Sequence, residues 1–226
     1  MRIFAIGDLH LSFSCDKPME VFGPLWENHV ERLEEAWQQT VGEEDLVLIP
    51  GDISWAMHLA DAAEDLAFIG RLNGTKLLLR GNHDYWWSSL TQVRRALPAG
   101  VYAIQNDARV FDEYAIGGTR LWTPPNPQTT PEDRKIYERE LARLELSLSA
   151  MPKEAEKIVM MHFPPFDEHH ADSPVTELLE RYGVRHAIYA HLHGKAHKLA
   201  FSGERNGVNY IFAAADYLKF CPIPVV

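Results

Sequence analysis

Six short apolar runs punctuate this chain, and five of them are followed at once by polar residues of a narrow kind. The runs occupy 3–6, 46–49, 76–79, 158–161, 187–190 and 208–213. Runs this short, with turn residues behind them, read as buried strands. Helical spacing fills the gaps. Trp26, Val30, Leu33, Ala36 and Trp37 recur with it, as do Ala60, Ala63, Leu66, Ala67 and Ile69. A third helix starts at Pro131 with Thr130 as its cap and runs through Ile136, Leu141, Leu144 and Leu148. Shorter helices are expected over 86–97 and 177–182. The stretch 101–122 differs, with closely spaced β-like pieces around Gly117-Gly118, and 195–212 reads as hairpin strands around Gly203 to Gly207. The pattern predicts an α/β fold of two packed mixed β-sheets flanked by helices, with 1–226 as one domain.

The residues behind the strands carry the chemistry. Gly7-Asp8-Leu9-His10 follows the first run and Gly51-Asp52 the second. Gly81-Asn82-His83-Asp84 follows the third, His162 the fourth, and His191-Leu192-His193 the fifth. In open α/β sheets the C-terminal strand ends converge on one crevice, where ligands bind. Two Asp, one Asn and several His would meet there. A lone Gly-Asp is most often a plain turn, but chance turns do not select His and Asp this consistently.

Imidazole suits zinc, iron or nickel, and carboxylate and amide oxygens suit manganese or magnesium. No cysteine lies at these positions, which argues against a structural zinc site. A carboxylate can bridge two ions, and Asp52, from a central strand, is the expected bridge. Two ions about 3.5–4 Å apart can hold a hydroxide and clamp a phosphoryl oxygen during in-line displacement.

The series Asp8-x-His10, Gly51-Asp52, Gly81-Asn82-His83-Asp84, His162 and His191-x-His193 resembles the calcineurin-like metallophosphoesterase superfamily. The resemblance implies a sandwich of two mixed sheets and a dinuclear centre of Mn, Fe, Zn or Ni, with Mn or Fe favoured. It implies that Asp8, His10, Asp52 and His193 hold one ion, and that Asp52, Asn82, His162 and His191 hold the other. His83 would contact phosphate or the leaving group as a general acid. Asp84 would either orient His83 or hold its own loop.

Two departures narrow the subclass. Ala190 stands where the family usually has Gly, which matters only if the backbone there needs positive φ. The second motif reads Gly51-Asp52-Ile53-Ser54-Trp55-Ala56 and lacks the Arg and second Asp of the superfamily's phosphoprotein phosphatases. The third motif keeps His83, where diacylglucosamine pyrophosphatases have Arg. The rest is similar to bacterial phosphodiesterases, so small phosphodiesters, cyclic-nucleotide or nucleotide-like, are the expected substrates. The alternatives are a phosphomonoesterase, a short-oligonucleotide nuclease, or a scaffold without catalysis.

Trp55, Tyr85, Trp86 and Trp87 follow the motifs directly and are candidate substrate contacts, since aromatic rings can stack a base. His29 and His58 are expected on helix surfaces, and His197 on a strand in a structural role. Arg80 either helps hold phosphate or pairs with a carboxylate. The proline-rich loop 123–131 has no assigned role. The formal net charge of −10 disfavours holding long nucleic acid on a basic surface. It leaves room for a small phosphoester, because two divalent ions would outweigh two carboxylates locally. No run approaches the length of a membrane span. The start lacks a signal-peptide pattern, and Cys15 and Cys221 are the only cysteines, so a cytoplasmic protein is expected.

Overall fold

Alternation along the strands decides the layers. In β1 (Ile3–Ala5), Ile3 and Ala5 face one way and Phe4 the other, as the two-residue side-chain period requires. β2 (Leu46–Pro50), β3 (Thr75–Leu79) and β4 (Val101–Ile104) continue this sheet in parallel. A two-residue strand near the C-terminus, Ile223–Pro224, closes its edge antiparallel to β1. The computed structural model describes residues 1–226.

The second sheet holds β5 (Ala108–Phe111), β6 (Tyr114–Thr119), β7 (Glu156–Met161), β8 (Val184–Tyr189), β9 (Gly203–Arg205) and β10 (Val208–Phe212). Its order is β5-β6-β7-β8-β10-β9; the four inner strands are parallel and the edge strands antiparallel. The sheets meet through Ile3, Leu46, Leu48 and Leu77 on one side and Ile116, Ile158, Met160 and Ile188 on the other. On the outer face of the first sheet lie α1 (His29–Thr40), α2 (Ala63–Arg71) and α3 (Leu90–Ala96), anchored by Leu33, Trp37, Ile69 and Val93. On the outer face of the second lie α4 (Pro131–Ser149) and α5 (Pro174–Arg181), anchored by Tyr137, Leu144, Leu148 and Leu179. The result is the expected pair of packed mixed sheets flanked by helices.

Local signals explain most element ends. The Thr130 side chain accepts the Asp133 N–H at the start of α4, and Ser173 and Thr176 form a reciprocal cap on α5. Asn206 and Gly207 both take positive φ in the tight turn between β9 and β10. Several expectations need correction. α3 begins at Leu90, where Ser89 caps it, so Trp86 and Trp87 precede it. Trp26 lies in a 3-10 turn before α1. His29 is buried against Trp26 and Phe220. His197 lies in a 3-10 turn, Gly194–Leu199, rather than a strand.

The buried Lys76 of β3 ties the first sheet to α2. Its ammonium donates to the carbonyls of Leu72 (2.6 Å) and Gly74 (2.8 Å), just past the end of α2. Positive charge there also suits the helix dipole. Lys76→Met is expected to leave these carbonyls unpaired and lower stability by about 1–3 kcal/mol. Urea unfolding checks this; an unchanged midpoint would exclude the role.

Candidate metal centre

The C-terminal ends of both sheets are stitched together at one place. The Gly7 N–H donates to the Ala213 carbonyl (2.6 Å), and the Ala215 N–H donates back to Gly7 (3.0 Å). The His191 N–H donates to Asp8 Oδ2 (2.8 Å). His162 Nδ1 lies 3.0 Å from the Pro50 carbonyl, so this nitrogen carries the proton that the carbonyl accepts. Glycine permits the approach of the second and third loops. A Cβ on Gly51 would lie 2.7 Å from both Gly81 Cα and His162 Nδ1. A Cβ on Gly81 would collide with the Asp52 carboxylate.

The loops bend sharply. Asp8, His10, Asp52 and His191 all hold positive φ, at 57, 47, 52 and 75°. Non-glycine residues rarely adopt this conformation, and such strain gathers at functional sites. It also means that Asp8 and His10 converge through a turn, not through the two-residue alternation of a strand. Ala190 is not among the positive-φ residues, so its methyl group is accommodated without backbone strain.

Two clusters of potential ligand atoms result. Those of Asp8, His10 and His193 lie within 4.8 Å of one another, as do those of Asp52, His162 and His191. Asp52 Oδ2 stands between the clusters, 3.9 Å from His10 Nε2 and 3.4 Å from His162 Nε2. Asn82 Oδ1 lies 2.7 Å from His162 Nε2, and His191 Nδ1 lies 3.2 Å from the same nitrogen. His10 Nε2 and His193 Nε2 approach to 3.4 Å. Asp8 Oδ1 is buried with no hydrogen-bond partner. Acceptors that crowd together like this, with one carboxylate oxygen left unpaired, fit divalent cations.

The electrostatics of the buried groups agree with this reading. Burial pushes His10 and His191 down to about 3, which keeps their lone pairs free. Burial also pushes Asp8 up to about 7, against the pull of His193 and His162. Burial alone would raise Asp52, but the charge of His162 pulls it below the usual carboxylate range. His162 goes the other way: burial opposes its charge, yet the Asp52 carboxylate raises it to about 9. A proton on His162 thus stands where a cation fits.

The remaining candidates divide. His83 borders a cavity of ≈ 950 Å³ that also touches His10 and His193. Its Nδ1 is buried without a partner, and its backbone N–H donates to Asp52 Oδ1 (2.8 Å). Trp55 and Tyr85 line the same cavity. Trp86 and Trp87 do not, and the expectation of substrate contacts from them is corrected. Both are buried, with indole N–H groups donating to Asp84 (2.9 Å) and Gln105 (2.9 Å). Asp84 does not orient His83. Its carboxylate accepts the N–H groups of Asp52, Ile53, Ser54 and Gly81 together with the Trp86 indole, so it holds its loop. Arg80 forms no ion pair with a carboxylate, against one of its two expected roles; it does not line the cavity, and its Nε is buried without a partner.

Sequence reasoning missed Asp216. Its buried carboxylate lies 3.0 Å from His193 Nδ1 and accepts the Gly194 N–H (3.1 Å). It thereby fixes the His193 tautomer, with Nε2 turned to the cluster. His197 Nε2 sits 3.0 Å from its other oxygen. Asp216 follows the sixth apolar run, so the strand-end pattern itself could have exposed it.

A family model for calcineurin-like phosphoesterases matches residues 1–195. The chain belongs to this family. It is therefore a phosphoesterase, and its paired clusters mark it as metal-dependent. No curated protein matches it in sequence. Among solved structures, it is similar to the phosphopantetheinyl hydrolase of Mycobacterium tuberculosis, with TM-score 0.62, 14% identity, and coverage of 100% of this chain and 95% of that one. A protein of unknown function from Aquifex aeolicus gives TM-score 0.53 and 17% identity over 99% of this chain and 95% of its own. A Thermus thermophilus protein gives 0.57 and 12% over 99% and 97%. At these identities the likeness concerns the fold.

Two predictions follow from the site. Asp216→Asn is expected to weaken metal affinity about 10–100-fold by loosening His193; calorimetric metal titration giving wild-type affinity would exclude the positioning role. Below about 9 the proton on His162 competes with metal. Apparent affinity should therefore rise with pH from 7 to 9, by up to about tenfold per unit for each proton released. Titration in buffers of different ionisation enthalpy counts those protons, and a count of zero at pH 7 would refute this.

Proposed function

We propose that the chain hydrolyses small phosphodiesters at a dinuclear centre, with manganese or iron as the favoured ions. Asp8, His10, Asp52 and His193 are assigned to one ion, and Asp52, Asn82, His162 and His191 to the other. The observation that carries this reading is the position of Asp52 Oδ2 between the two clusters. Two ions there supply charge neutralisation for phosphate and a water acidic enough to attack at neutral pH.

The chain's own residues do the rest. Asp216 and the Pro50 carbonyl hold the ring tautomers of His193 and His162. His83 faces the cavity as proton donor to the leaving oxygen. Burial lowers its basicity, and an anionic phosphate beside it raises it again. Lys17 is the only Lys or Arg lining the cavity. That modest charge suits a monoanionic diester better than a dianionic monoester. The net charge of −10 supports small substrates over long nucleic acid. Cys15 and Cys221 are free thiols, which suits a cytoplasmic setting, and the shared core between the two sheets supports 1–226 acting as one domain; no helix is long and apolar enough to cross a membrane.

The test is a panel of bis-p-nitrophenyl phosphate, p-nitrophenyl phosphate, cyclic nucleotides and single-stranded oligomers with added Mn²⁺. Diester turnover should exceed monoester turnover and vanish with chelator. No hydrolysis with any divalent ion would overturn the assignment. His83→Ala should lower turnover about 10²–10⁴-fold, more for an unactivated diester than for a nitrophenyl one, with metal content retained. Equal losses on both would remove the proton-donor role.

A further inference from the structure

The cavity beside the metal clusters has a composition that the proposed reaction leaves unexplained. His10, His83 and His193 form its inner end, and Met19, Trp26 and Trp55 its deeper wall. Phe22, Leu25, Met57 and Tyr85 form the rim and are 39–59% exposed. Isolated exposed apolar residues are normal on a protein surface. Four around one opening, next to a reaction centre, form a patch that calls for an occupant.

The polar inventory of the cavity is as informative. No Ser, Thr, Asn, Gln or Arg lines it. Apart from the centre itself and Asp216, its polar side-chain groups are those of Cys15, Asp16 and Lys17, the Tyr85 hydroxyl and the indole N–H groups of Trp26 and Trp55. A nucleobase or sugar carries many donors and acceptors, and each one buried without a partner loses affinity. Nor is Trp55 free as a stacking platform. His10 stacks on its ring at 4.9 Å and 22°, the Lys17 ammonium lies 4.5 Å from its centroid, and its indole N–H points to Met19 Sδ at 3.2 Å. Trp26 meets His10 and His193 edge-on and is buried. The aromatic residues nearest the centre thus brace its imidazoles and leave an apolar wall, not a base-reading surface.

We propose that this cavity holds the alcohol portion of the substrate and that this portion is apolar, an alkyl, isoprenoid-like or aryl group. The assignment rests on the phosphoester-hydrolase reading above and narrows its substrate class. Phosphate lies at the metal end and the apolar group runs outward past Trp26 and Met19 to the rim. Hydrolysis breaks the P–O bond to this alcohol. Water supplies the new oxygen on phosphorus, and a proton goes to the departing alkoxide. Nucleoside esters are then disfavoured substrates, in contrast to the nucleotide-like class expected from the sequence.

The test uses the full chain loaded with Mn²⁺. Methyl-, butyl- and octylphosphonate, which cannot be hydrolysed, compete against turnover of bis-p-nitrophenyl phosphate. The inhibition constant should fall about fourfold per added methylene until the cavity is filled. Adenosine monophosphate should inhibit more weakly than octylphosphonate. The triple variant Phe22→Ser, Leu25→Ser, Met57→Ser changes exposed positions only, and circular dichroism checks its fold. It should shrink the methyl-to-octyl ratio at least about tenfold. Turnover with a flat chain-length series, or with the nucleotide as the stronger inhibitor, would overturn the apolar assignment and leave the hydrolase reading standing. If no turnover occurs, the hydrolase reading fails, and calorimetry of octylphosphonate against methylphosphonate still decides the cavity: equal affinities overturn it.

Discussion

The buried carboxylate of Asp84 clamps the second and third strand-end loops together. It takes the N–H groups of Asp52, Ile53 and Ser54 from one loop and that of Gly81 from the other. These donors are buried away from solvent and would otherwise lack partners. Burial and the neighbouring Asp52 charge push the Asp84 carboxyl up to about 6, and the N–H donors oppose them. The clamp makes the left-handed turn at Asp52 tolerable. It leaves Asp52 Oδ1 facing the His83 N–H and Oδ2 facing both clusters. One acid thus orients the other, and the geometry between the clusters depends on a side chain that neither lines the cavity nor hydrogen-bonds the His83 ring.

The fold was legible because its strands are short, apolar and alternate with helices, so length and turn residues sufficed to place them. Boundaries slipped where local pattern and packing disagree. Trp26 continues the helical spacing of α1, yet extended Glu27 and left-handed Asn28 separate its 3-10 turn from the helix. Trp86 and Trp87 follow a motif and look available, but large indoles beside a tight loop find more burial beneath it than above it. The convergence of Asp8, Asp52, His162 and His191 was legible from strand ends alone. The clamp role of Asp84 was not, because its partners are backbone groups some 30 residues earlier in the chain. Asp216 lies where the strand-end pattern of the sixth run points, but Ala214 and Ala215 set it back from that run, and the sheet-to-sheet bonds of Gly7 with Ala213 and Ala215 bring the segment to the centre.

Charge ties these parts together. The chain is acidic overall, and its cavity presents a single Lys. Phosphate recognition therefore falls to the centre and not to a basic surface. A basic surface would have to surround the phosphate and would occupy the wall with guanidinium and ammonium groups. On the proposed reading, two ions would concentrate the positive charge at one end and leave the rest of the wall free for apolar side chains. Such a wall also excludes water, so the field of the ions is screened less than in bulk solvent. The apolar rim and the buried imidazoles are then two consequences of one arrangement: on the proposed reading the anionic part of the substrate would meet most of the charge, and its alcohol would meet Lys17 and Asp16 alone among charged side chains beyond the centre.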